Sequence, residues 1–157
     1  MNNVETERKF LVDKIKWSLL PKPAGTIYIQ GYLSIDSEKV VRVRVAGDKG
    51  FLTIKGRSDT ISRPEYEYGI PATDAAELLQ EFTKTLVEKV RTKITAGNHV
   101  WEVDEFHGEN EGLLMAEIEL ESPEDAFELP DWLGEEVTGD RRYYNSYLSQ
   151  NPFTTWK

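Results

Sequence analysis

Between Val4 and Val12 the chain reads VETERKFLV, with Glu5, Glu7 and Lys9 on alternate positions. On an extended chain such residues share a face, so two carboxylates and an ammonium project together while Val4, Phe10 and Val12 point the other way. The division recurs. Arg42 and Arg44 stand against Val41, Val43 and Val45, Lys55 against Leu52 and Ile54, and Glu65 and Glu67 against Tyr66, Tyr68 and Ile70. Lys89, Arg91 and Lys93 oppose Val90 and Ile94, Glu102 and Asp104 oppose Trp101 and Val103, and Glu117 and Glu119 oppose Ala116, Ile118 and Leu120. Carboxylate oxygens are the hard ligands that Mg2+ or Mn2+ accepts. Arginine grips phosphate oxygens with a planar fork, and lysine acts as a point charge. Brought together, the two sets would make a metal–phosphate site.

The elements that must position these groups are strands. Period-2 patterns interrupted by turn residues favour an antiparallel β protein, with candidate strands at Glu5 to Val12, Thr26 to Ile35, Val40 to Ala46, Gly50 to Gly56, Pro64 to Ile70, Thr85 to Thr95, Val100 to Phe106 and Leu113 to Glu121. The turns IDSEK, AGDKG, AGNH and GENEG join successive strands as hairpins. The expected fold is mainly β (α+β), an eight-stranded antiparallel closed barrel with a few peripheral helices. Helices are expected over DAAELLQEF, capped by Thr73 or Asp74, around DKIKWSLL, around SPEDAFEL, and over GDRRYYNSYLSQ, capped by Asp140.

A charged strand face is ordinarily a solvated one. Here, however, seven segments carry seven cations and eight carboxylates on that face. Like charges two residues apart lie roughly 7 Å from each other and repel unless something of opposite sign intervenes. Closing the strands with the charged face inward would make a polar tunnel that a polyanion and a divalent metal neutralise, leaving the apolar faces to pack outside.

Composition narrows the partners. The 157 residues carry a net charge of −9 with 39% hydrophobic and 30% charged residues, and there is no cysteine. An acidic chain without a basic patch or basic amphipathic helix is a poor partner for nucleic acid or a membrane surface. No apolar leader or stretch of about 18 apolar residues is present. One domain over 1–157 and a cytoplasmic location are expected.

The Glu-x-Glu-x-Lys at Glu5, Glu7 and Lys9 resembles the signature of the CYTH superfamily, the triphosphate tunnel metalloenzymes. The similarity continues in order through QGYL at Gln30 to Leu33, VRVRV, LTIKG, RPEYEY, EKVRTK, WEVDEF and AEIELE, over roughly residues 3 to 148. The resemblance implies an eight-stranded tunnel that processes triphosphates with Mg2+ or Mn2+. It implies metal ligation by Glu5, Glu7, Glu117 and Glu119 and phosphate binding by Lys9, Arg42, Arg44, Lys55, Lys89 and Arg91. Glu65, Glu67 and Asp104 are then supporting acids, and Arg142 a further candidate for phosphate. Glu5, Glu7 and Lys9 are the expected catalytic group, acting on water that attacks a terminal phosphorus. Inorganic triphosphate is the leading substrate. Organic triphosphates (ATP or thiamine triphosphate), class IV-type cyclisation of ATP, and a noncatalytic polyphosphate or nucleotide module are the alternatives. Trp101, Trp132 and Trp156 are read as packing residues and Tyr28, Tyr32, Tyr66 and Tyr68 as barrel-surface or rim residues, Tyr32 with possible substrate contact. Lys93 and Glu102 are read as solvated strand ends.

Overall fold

A computed structural model describes residues 3–57 and 61–156. The strands are β1 (Val4–Val12), β2 (Thr26–Ile35), β3 (Lys39–Ala46), β4 (Lys49–Gly56), β5 (Ser62–Ile70), β6 (Val87–Ala96), β7 (His99–His107), β8 (Leu114–Glu119) and β9 (Leu133–Glu136); the helices are α1 (Lys14–Leu19), α2 (Ala72–Phe82) and α3 (Asn145–Gln150). The first eight strands match the expected ones to within a residue or two at most ends. All pairings are antiparallel in the order β5-β4-β3-β2-β6-β7-β8-β1, and β1 closes the barrel on β5. Gly47 and Gly97, with φ of +61° and +64°, supply the left-handed turn residues of the β3–β4 and β6–β7 hairpins.

β1 holds the closure. One edge pairs with β8 over Glu7 to Leu11, while the other pairs with β5 through Val4 to Thr6 and then with β9 through Phe10 and Val12. β9 is an element the sequence reading lacks: its LGEE has no apolar alternation, and it exists because the end of β1 would otherwise be an open edge.

Three further expectations are corrected. SPEDAFEL is not helical: a turn at Ser122 to Asp125 is followed by extended chain, because Asp125 accepts from the Glu121 amide and the Phe127 ring must reach Phe10 and Trp101, at centroid distances of 6.3 and 5.8 Å. α2 starts after Pro71 without a side-chain cap, so Thr73 and Asp74 fall inside its first turn, where the Asp74 carboxylate suits the helix dipole. The C-terminal segment is a 3₁₀ turn over Arg141–Tyr143, capped by Asp140, then an extended Tyr144 (φ −75°, ψ 137°), and only then α3.

The hydrophobic core lies outside the barrel. Phe10, Val12, Trp101, Val103, Ala116, Ile118 and Leu120 point outward and bury against Trp17 of α1 and Trp132 of the segment before β9. Val43 packs under Ala75 and Leu79 of α2. Burial of the Trp101 indole is complete, and loss of such a side chain costs about 3–5 kcal/mol. At one end the inward positions themselves turn apolar. Val87, Phe106 and Met115 form a buried cluster with Leu113 and Leu148 of α3, and Leu11 packs against it. One step further along each strand come Lys89, Asp104, Glu117 and Lys9, so the charged tunnel stands on an apolar floor.

Candidate active site

Register decides which inward charges meet. Across β1 and β8, Glu7 lies opposite Glu119 and Lys9 opposite Glu117; across β4 and β5, Lys55 opposes Glu65 and Thr53 opposes Glu67; across β6 and β7, Arg91 opposes Asp104 and Lys93 opposes Glu102. Acids therefore gather on β1, β8 and β5, and cations on β3 and β6. They enclose a cavity of about 270 Å3 lined by every proposed acid and cation except Asp104 and Arg142. Asp104 lies behind the wall, 1% exposed, as a bidentate acceptor of Arg91 at 2.8 and 2.9 Å and a partner of Lys89 at 2.7 Å.

The acidic wall divides into satisfied and unsatisfied members. Burial pushes the Glu5 carboxyl up, but Lys55 at 2.9 Å and Arg63 at 2.8 Å outweigh it and hold it at about 2. Glu117 is likewise held well below the usual range against burial by Lys9, 3.3 Å away, and by Arg91 and Lys89. Glu7 is different: burial and the neighbouring Glu117 raise it to about 7 despite Lys9 at 3.5 Å. Glu119 is raised by burial and by Glu65, Glu5 and Glu102. Lys9 is raised because Glu117 and Glu7 overcome its desolvation, so it remains an ammonium.

The cationic wall has the opposite deficit. Arg44 has no carboxylate within ion-pair distance among the described residues; its one hydrogen bond, at 2.8 Å, goes from Nε to the Gln30 amide oxygen. Burial, Arg42 and Arg91 lower its proton affinity to about 9. Arg42 meets Thr53 at 3.2 Å and Glu67 at 3.5 Å, yet its Nε is buried without a partner. Lys89 is lowered to about 7 by burial, against the pull of Asp104. Buried guanidinium groups short of acceptors are what a phosphate chain would satisfy.

The structure moves several assigned residues. Arg142 turns away from the cavity: it pairs with Asp140 at 2.7 Å and lies against Tyr143 and Trp156, because the 3₁₀ turn points it outward, while Arg141 lines an adjoining cavity at the mouth. Tyr28 is a wall residue whose ring carries Arg44 and Arg91 at 4.8 and 4.9 Å, whereas Tyr66 and Tyr68 are exposed on the outer face. Glu102 pairs with Arg91 at 3.2 Å and lines the cavity; Lys93 lines its end but is largely solvated. Arg63, Gln30, Thr53, Tyr144 and Asn145 enter the site without having been assigned a role. Arg63 shares the face of Glu65 and Glu67 and Gln30 that of Tyr28 and Tyr32, so the period-2 pattern contained both. Tyr144, whose ring lies 5.4 Å from Lys9 Nζ, belongs to irregular chain and Asn145 is the first residue of the short α3, so neither carries such a signal.

Residues 3–146 match the family described as the CYTH domain. The chain belongs to the CYTH domain family. It is 51% identical over 154 residues to an inorganic triphosphatase of Acetivibrio thermocellus, covering 98% of this chain and 97% of that protein. It is 36% identical to an inorganic triphosphatase of Nitrosomonas europaea, covering 92% and 96%. A solved structure of an inorganic triphosphatase superposes with a TM-score of 0.64 at 35% identity, over 92% of this chain and 97% of that one. A conserved hypothetical protein of Pyrococcus furiosus, at 19% identity and a TM-score of 0.58 over 77% and 81%, shares the fold.

Triphosphatases of the CYTH family are in general metal-dependent. Among the described residues no group of three or more acids or histidines forms a metal cage. Mg2+ needs none, since it is commonly held by one or two carboxylates with substrate phosphates and water. The donors present fit such an ion: Glu7 and Glu119 face each other across β1 and β8, and both are raised by burial first and then by other carboxylates nearby, Glu117 and Glu5 for Glu7 and Glu65, Glu5 and Glu102 for Glu119.

Proposed function

We propose that this protein hydrolyses inorganic triphosphate to pyrophosphate and phosphate, with Mg2+ or Mn2+. The observation that carries the reading is a charged cavity with one wall short of cations and the other short of anions, in a chain half identical to an inorganic triphosphatase. Phosphoryl transfer asks chiefly for positioning and charge stabilisation. Arg42, Arg44, Lys89 and Arg91 bind the phosphate chain on β3 and β6, and Lys55 extends the grip from β4. Glu7 and Glu119 lead the metal-binding carboxylates, with Glu5 and Glu117 beside them. A bound metal lowers the pKa of its water and offsets phosphate charge.

Lys9 stays protonated between Glu7 and Glu117, and so donates to the reacting phosphate instead of accepting a proton from water. Glu5 orients Lys55 and Arg63. Glu65, Glu67 and Asp104 hold Lys55, Arg42 and Arg91 at the wall. The apolar floor blocks the tunnel at one end, so the chain of phosphates enters from the other, and water attacks the terminal phosphorus in line. A purely binding protein would have no need of carboxylates raised by burial and by neighbouring acids.

The test is a substrate panel of inorganic triphosphate, pyrophosphate, ATP and thiamine triphosphate, each with Mg2+, Mn2+ or chelator. Inorganic triphosphate should give the highest kcat/KM, only with metal. Absence of metal-dependent turnover of every triphosphate would sink the proposal, and cyclic AMP from ATP would replace it with a cyclase.

A further inference from the structure

Behind the cationic wall lies a hydrogen-bonded chain with no acidic member. Gln30, on β2, is 0% exposed; its Oε1 accepts from Arg44 Nε at 2.8 Å and its Nε2 donates to Asn145 Oδ1 at 3.1 Å. The same Asn145 oxygen accepts from Lys89 Nζ at 3.0 Å. Arginine and lysine are donors only, so their positions fix the orientation of both amides: Gln30 must turn its oxygen to Arg44, and Asn145 its oxygen to Lys89. The chain joins β3, β2, α3 and β6, and it reaches the wall only because Tyr144 is extended and sets Asn145 at the start of α3.

A carboxylate at either position would bind Arg44 or Lys89 more strongly than an amide does. It would also cancel the positive charge that the wall offers to a substrate. Asp104 shows the contrast, since it is ionised and already engages both Arg91 and Lys89. We infer that Gln30 and Asn145 are positioning residues of the triphosphate site, fixing Arg44 and Lys89 through neutral acceptors so that no further carboxylate is added to the Asp104 that already pairs with Lys89, and the wall keeps a surplus of positive charge for the substrate. The inference rests on the function proposed above.

Asn145→Asp tests it, because it keeps the shape and both accepted hydrogen bonds and adds only a charge. Binding of inorganic triphosphate is measured by calorimetry with chelator present, alongside KM, kcat and Tm. The expected result is a rise of at least about 10-fold in Kd and KM, with kcat within about threefold and Tm unchanged or higher. Asn145→Ala, which removes the acceptor, should also raise KM but lower Tm. Unchanged Kd and KM in Asn145→Asp would overturn the inference, as would a lowered Tm, which would mean that the wall has no surplus of positive charge. The calorimetric arm separates the two failures: wild-type protein that binds triphosphate without hydrolysing it refutes the activity, and the inference is then judged on Kd alone.

Discussion

Replacing Arg44 with methionine should make the protein more stable and less able to use its substrate. The guanidinium is buried, has no carboxylate partner among the described residues, and is disfavoured by burial and by Arg42 and Arg91, which bring it from its ordinary value down to about 9. At 1.36 kcal/mol per pH unit, that gap is about 5 kcal/mol, an upper bound on what the buried charge costs the free protein. Against it stand the Gln30 oxygen left without a donor, about 1–3 kcal/mol, and the lost contact with Tyr28, about 1 kcal/mol. A net stabilisation of at most roughly 1–3 kcal/mol remains after these losses, or up to about 10 °C in Tm for a chain of this size. The same change removes charge-assisted hydrogen bonds to phosphate, about 3 kcal/mol together, so kcat/KM should fall roughly 100-fold. Calorimetric or circular-dichroism melting with chelator gives the first number, and steady-state phosphate release with metal gives the second. A large fall in Tm would refute the reasoning, because Arg44 would then be a structural ion; unchanged kcat/KM would remove it from the phosphate site.

Other perturbations separate the walls. Glu7→Gln should abolish metal-dependent turnover. Because the folded value of Glu7, about 7, lies above the ordinary 4.5, its ionisation withdraws stability as pH rises from about 4.5 through 7, on the order of 3 kcal/mol at most. Metal-free melting curves against pH should therefore be flatter in Glu7→Gln than in wild type over that window, and parallel curves would contradict this. Lys89 is lowered to about 7, so kcat/KM should decline as pH rises through that value; Lys89→Arg should push the decline to higher pH, and an unmoved limb would assign it elsewhere. Asp104→Asn leaves Arg91 and Lys89 buried without their carboxylate, and should cost about 3–5 kcal/mol, roughly 6–20 °C in Tm. A loss below 1 kcal/mol would mean that the pairings contribute little.

The barrel was legible because every strand around it has an apolar and a charged side, and a side-chain period of 2 leaves little choice of register once one face must be buried. The same pattern located Glu5, Glu7, Lys9, Arg42, Arg44, Lys89 and Arg91. What it missed has physical reasons. β9 is a four-residue strand whose position is set by the open edge of β1. Arg142 is claimed by Asp140, only two residues away, before it can reach the tunnel. Tyr144 lies in the break between a 3₁₀ turn and α3 and Asn145 is the first residue of that six-residue helix, so no strand period reaches either. Gln30 and Thr53 were visible but uncharged, and a reading built on charge passed over them.

Hydrolysis of inorganic triphosphate in H218O, followed by 31P NMR of the products, tests the account most directly. Turnover should depend on Mg2+ or Mn2+ and leave one 18O in each orthophosphate and none in pyrophosphate, since water attacks the terminal phosphorus. Label in the pyrophosphate, or the absence of metal-dependent turnover, would contradict it.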